Sequence, residues 1–180
     1  MKTQKIFLLA FLAILAISNN GFCQKEKKIK CKYDIDKVDE FSGEAVKETF
    51  LSYYMGAAVL GFRKTGSNYF IDFKVRWNGN KTEPVKKGDE LMFKLNNGEV
   101  LKVLCSKNAS PNNKIQATSY SASVCTDYAI EYSCTKEELQ NLVNAPPTAI
   151  KLDLTGDAVQ FTFNSREQKK ISEVAYCITQ

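Results

Sequence analysis

The stretch NYFIDFKVRWNG, residues 68–79, decides the fold. Tyr69, Ile71, Phe73, Val75 and Trp77 fall on one side of an extended chain, with Asp72, Lys74 and Arg76 on the other; Phe70 alone breaks the alternation. Successive side chains of a strand point to opposite faces, so an apolar period of two marks a strand that buries one side. Asn78-Gly79 then supplies the residues that tolerate the backbone of a tight turn.

The same grammar extends outward in both directions. Leu91, Phe93 and Leu95 alternate up to Asn97-Gly98, and Leu101, Val103 and Cys105 continue beyond it, which predicts a hairpin. Upstream, 45–54 and 57–64 read as two strands followed by a Thr65-Gly66-Ser67 turn. Downstream, 106–114 is rich in Asn, Ser and Pro and reads as a loop, and 115–134 returns to strand, with Tyr128, Ile130, Tyr132 and Cys134 on one face.

The period then changes. Thr135-Lys136-Glu137-Glu138 is a capping box, and Leu139, Leu142 and Val143 follow at helical spacing until Pro146-Pro147 stops them. Ile150, Leu152 and Leu154 alternate again, Thr155-Gly156-Asp157 turns, and Val159, Phe161 and Phe163 complete a hairpin. Ser165-Arg166-Glu167-Gln168 reads as a second box opening a last helix, with Ile171, Val174, Ala175 and Ile178 on one stripe. The expected fold is α+β. It is a curved antiparallel sheet of about 8–10 strands, sandwich-like or a partly open barrel, with one or two C-terminal helices packed on it.

The chain's beginning speaks for export. Lys2 and Lys5 precede twelve apolar residues, Ile6 to Ile17, which Ser18-Asn19-Asn20-Gly21 interrupts. Twelve helical residues rise about 18 Å, short of the roughly 30 Å of a hydrocarbon core. The pattern is that of a signal peptide over 1–23, with Gly21 and Cys23 at the small positions of the cleavage site, leaving 24–180 as a single domain. The other possibility is a lipid anchor on Cys23, against which bulky Phe22 argues. No later run is long enough to span a membrane: Thr49 to Phe62 has 14 uncharged residues, broken by Gly56 and Gly61. Residues 24–32, QKEKKIKCK, form a solvated basic lead-in.

Charge and cysteine content bound the chemistry. The net charge of +5 falls to +3 without Lys2 and Lys5, and its spread along the chain gives no footprint for nucleic acid. Cys31, Cys105, Cys125, Cys134 and Cys177 remain after cleavage, and an oxidising compartment predicts two bridges with one thiol over, their connectivity open. If 99–105 and 115–125 pair as a hairpin, Cys105 and Cys125 stand about 30 Å apart, too far to bridge. The chain has no histidine, which removes His-based triads and His-bearing metal sites. No cofactor and no metal is expected.

Two groups remain as candidate sites. Asp34, Asp36, Asp39 and Glu40 form the one dense acidic cluster, from which a pair could act as acid and base. Their spacing lacks the sixth-position glycine of a calcium loop, and the plainer reading is a charged strand end entering a Phe41-Ser42-Gly43 turn. The second group is aromatic: Tyr53, Tyr54, Phe70, Trp77 and Tyr120 are candidates for an exposed platform that meets a sugar or a partner protein. Cys134 also sits beside the positive end of the helix that Thr135 caps, where a thiol can be activated.

The segments NGFCQ, DKVDEFSG, GDELMFKLNNGEV and TKEELQNL, with IKLDL and SREQKKI after them, resemble those of small exported proteins of unknown function from Gram-negative bacteria of the Bacteroidetes type. The resemblance implies export and an α+β fold, and none of these segments is a catalytic signature. The function expected is a non-catalytic binding or interaction domain, periplasmic or extracellular, with an unknown protein or carbohydrate as partner. The alternatives are a carboxylate-dependent hydrolase of wall or polysaccharide material, and an inhibitor of a secreted enzyme using a rigid loop at 106–114.

Overall fold

A computed structural model describes residues 29–117, 122–154 and 157–180. The leader, Cys23, Tyr120 and the Thr155-Gly156 turn lie outside the described residues. Ten strands are present among the described residues: β1 (Ile35–Val38), β2 (Ala45–Tyr53), β3 (Ala58–Thr65), β4 (Asn68–Asn78), β5 (Glu90–Leu95), β6 (Val100–Cys105), β7 (Asn112–Ala117), β8 (Ala122–Cys134), β9 (Pro147–Leu154) and β10 (Asp157–Thr162). Two helices interleave with the last of them, α1 (Lys136–Asn144) and α2 (Ser165–Thr179).

All ten strands belong to one antiparallel sheet in the order β1-β2-β3-β4-β8-β6-β5-β9-β10, with β7 also paired to β8. The expected α+β architecture is present. Its inner face carries the alternating apolar residues: Leu60, Phe62, Ile71, Phe73, Tyr128, Ile130, Leu91, Phe93 and Leu152 are all essentially inaccessible. Burying a large side chain of this kind contributes roughly 1.5–3 kcal/mol, so this face supplies most of the driving force.

The sheet curls strongly. Five strand steps separate β4 from β10, about 24 Å in a flat sheet. Yet the rings of Phe73 and Phe161 meet edge-on with centroids 6.2 Å apart. Tyr54 adds hydrogen bonds to the ring contacts across this seam. The Tyr54 hydroxyl donates to the Thr162 carbonyl at 2.8 Å and accepts from the Thr162 amide at 3.1 Å, as a neighbouring strand would. Tyr54 reaches that position from a short 3-10 turn after β2 with φ of 51°. Helix α2 packs on β2, β3, β9 and α1, with Ile171, Ala175 and Ile178 facing inward. A disulfide between Cys31 and Cys177 fastens the beginning of the described chain to α2, and the Tyr33 hydroxyl donates to the Cys177 carbonyl beside it.

Four expectations need correction. The 106–114 loop ends at Pro111, because Asn112 to Ala117 find a partner in the first half of β8. The loop itself is tied down by the Val85–Ala109 bridge, which buries Ala109. The 99–105 strand does not pair with 115–125: Leu104 and Cys105 pair with Ser133 and Tyr132, at the far end of β8. The last helix is capped by Asn164 rather than Ser165, since the Asn164 side chain accepts from the amides of Arg166 and Glu167 while Glu167 reaches back to the Asn164 amide. Finally, the described residues hold one disulfide and three free thiols, Cys105, Cys125 and Cys134. Cys105 faces Tyr132, about 23 Å along β8 from Cys125, and is only a diagonal neighbour of Cys134 at about 7–8 Å. Neither separation suits a disulfide.

Candidate functional site

The two groups of residues singled out by sequence do not assemble into one site. Tyr53 is buried with its ring 5.2 Å from that of Phe163, and its hydroxyl has no hydrogen-bond partner among the described residues. Tyr54 is half exposed but committed to the seam. Trp77 stands half-buried at the far end of β4 beneath the Lys81 ammonium. Only Phe70 lies on the outer face of the sheet.

The acidic cluster is dispersed into capping duties. Asp34 accepts from the Phe50 amide at 2.7 Å, joining β1's lead-in to β2. Asp39 accepts from the amides of Phe41 and Ser42, and these bonds hold its carboxyl below the usual range, where it stays ionised. Asp36 and Glu40 are exposed. Burial pushes the Cys134 thiol up to about 12, with Glu138 adding to the effect, so the helix end does not activate it.

What the fold does bring together lies on the outer face of β2, β3, β4 and β8, on the opposite side of the sheet from the helix-packed core. The turns that set strand register place Asp72 directly opposite Glu131 on β4 and β8. Two facing carboxylates repel, and Arg63 of β3 resolves the conflict by bonding both, Nε to Asp72 at 3.0 Å and one Nη to Glu131 at 2.6 Å. Its guanidinium also lies 4.4 Å from the Phe70 ring centre. Burial alone would raise the Glu131 carboxyl, but bonds from Ser106, Lys107 and Arg63 outweigh it and hold it low. Glu48, on β2 opposite Arg63, is raised by burial and by the charge of Asp72.

Phe50 is the aromatic that sequence reading missed. It lies across Gly61, where a Cβ would come within 2.9 Å of the ring, and the Lys74 ammonium sits 5.1 Å above it. The signal was available: Gly61 interrupts an otherwise apolar strand, and a strand glycine often marks a close approach by a neighbour.

Toward the end of β4 the same face opens into a cleft of about 390 Å³. Lys74 and Arg76 form one wall, Ser110, Asn112 and Lys114 another, and Val59 and Ala129 contribute to the floor. Asp127 receives a two-pronged bond from Arg76 at 2.7 and 3.1 Å and a third from Lys114 at 2.7 Å. The Arg76 and Lys114 bonds bring the Asp127 carboxyl down to about 2. A wider groove of about 830 Å³ runs between Ile29 and the helices, its Lys169 and Glu173 facing each other at 3.8 Å.

Beyond the cleft, β7 and β8 continue as a two-stranded arm. Asn78, the end of β4, pairs with Cys125 and the Gly79 amide still donates to the Val124 carbonyl, so Ala122 and Ser123 pair with β7 alone. Ile115 and Val124 are cross-strand partners there, both exposed. Among the described residues no helix is long and apolar enough to cross a membrane, and no group of three or more Cys, Asp or Glu side chains is placed to hold a metal ion. Compared with known proteins, the chain matches no family profile, no curated sequence and no solved structure.

Proposed function

We propose that the chain is an exported, non-catalytic binding domain whose ligand meets the outer face of β2, β3, β4 and β8. The observation that carries this reading is the pairing of cations with half-buried rings on that face, Arg63 on Phe70 and Lys74 on Phe50, beside an open cleft. Rings in this setting offer flat apolar area, and the cations above them add charge and hydrogen-bond donors. Export agrees with the Cys31–Cys177 bridge, since disulfides persist in oxidising compartments.

A carboxylate-dependent hydrolase is the second reading, and one observation favours it: Glu48 is raised by burial and by Asp72, as a general acid would be. Against it, Arg63 bonds Asp72, and the cleft is lined by neither acid. The test is to incubate residues 24–180 with cell-wall and storage polysaccharides, measuring retention and reducing-end release together. Retention without release is the expected result. Release that disappears in Glu48→Gln overturns the binding reading in favour of the hydrolase.

A further inference from the structure

We propose that the cleft between β4 and β7 binds the carboxylate of an acidic sugar, with Lys74, Arg76 and Lys114 as its donors; this rests on the binding reading above.

Three cations line the cleft against one carboxylate, Asp127, and that carboxylate already receives three bonds. Asp127 does not neutralise the site so much as orient it. Its two-pronged bond to Nε and one Nη fixes the guanidinium plane of Arg76, leaving the other Nη without a partner among the described residues. Lys114 gives Asp127 one of its three donors. Lys74 makes no ion pair among the described residues: its directly paired neighbours are Val59 on β3 and Ala129 on β8, and Glu48 feels its charge without bonding it. The Phe50 ring lies 5.1 Å from its ammonium. Lys74 and Arg76 are two residues apart on one strand, about 7 Å, close enough for both to reach one carboxylate.

The floor selects what the carboxylate is attached to. Val59 and Ala129 give a small apolar surface beside the cations, suited to the C–H face of a saturated ring. A volume of about 390 Å³ lies at the small end of ligand sites, suited to a unit of sugar size rather than a folded partner. A bare oxyanion would satisfy the cations and leave that floor uncovered. A neutral sugar would cover the floor and leave the cations unmatched.

The experiment titrates residues 24–180 with oligogalacturonate, a neutral maltooligosaccharide of equal length and inorganic phosphate, by calorimetry at low and moderate salt. The acidic oligosaccharide should bind tightest, weakening with salt. Losing one charge-assisted donor should weaken it about tenfold in Arg76→Gln. Lys74→Gln breaks no ion pair among the described residues, so it should keep the native melting temperature while losing similar affinity. Lys102→Gln, whose ammonium pairs with Glu90 elsewhere on the sheet, should bind as the parent does. Phosphate binding as tight as the sugar acid, or unchanged affinity in both Lys74→Gln and Arg76→Gln, overturns the inference. Equal binding of the neutral oligosaccharide overturns it while leaving the binding reading intact. Sugar hydrolysis removed by Glu48→Gln overturns the reading beneath it.

Discussion

Arg63 is held by two carboxylates and one ring, and each of those contacts depends on the others. Without it, Asp72 and Glu131 face each other across β4 and β8 in a setting where every member of the trio is about four-fifths buried. Arg63→Met should therefore cost about 2–3 kcal/mol in urea denaturation, because it strands charge as well as removing bonds. Adding Asp72→Asn to that variant should recover part of the loss, and no recovery would show that packing on Phe70 dominates. Two other acids on this face give opposite pH effects. Asp127 is lowered to about 2. The stability it confers is complete above its unfolded value near 4 and drains away as pH falls through about 2. Asp127→Asn should flatten the acid limb of a melting-temperature profile between those values. Glu48 is raised, so its ionisation opposes folding at neutral pH, and Glu48→Gln should melt at or above the parent temperature at pH 7.

At the scale of elements, the last helix shows how much a one-residue shift in a cap matters. Asn164 accepts two amides and Glu167 returns the bond, whereas Ser165 is already the first residue of α2. Asn164→Ala should lose about 1 kcal/mol and Ser165→Ala only a few tenths, measured by thermal melting. The reverse order would mean that the serine box read from sequence is the operative one. The same case explains what was legible beforehand. Alternation and turn residues gave β2 to β6 and both helices, because a period of two or of 3.6 is a local property. Strand β7 was not legible: Asn-Asn-Lys-Ile-Gln-Ala is exposed along its whole length, so no apolar period announces it. Its partner lies in β8, and pairing depends on register that one segment does not encode. The site suffered for the same reason. Lys74, Arg76, Lys114 and Asp127 come from three strands, and each in isolation is an ordinary solvent-side residue. Clustering in sequence, which drew attention to Asp34 through Glu40, was the weaker guide.

For the molecule as a whole, the sheet's curl depends on a seam that no backbone ladder completes among the described residues. Tyr54→Phe removes both bonds to Thr162 while keeping the tilted ring contact at 4.9 Å from Phe161. It should cost about 1–2 kcal/mol and speed amide exchange in β10 before β4. Exchange that rises evenly across all strands would show that the seam is incidental. Denatured without reductant, residues 24–180 should titrate three thiols, and native protein fewer, since Cys105 and Cys125 are buried and the Cys134 thiol is pushed up to about 12. One thiol after denaturation would restore the two-bridge expectation.

The bond between Cys31 and Cys177 also determines how the molecule answers a pull. The two sulfurs are 146 residues apart in sequence, yet their Cα atoms are 5.4 Å apart. Tension applied through chain outside that interval passes through sulfur and leaves the pleated layer unloaded. A cantilever drawing on the oxidised protein should thus find almost no extension, whereas a thiol in the bath should release about 500 Å of contour length in one event. A sulfur clasp of this kind makes the fold indifferent to drag on its ends.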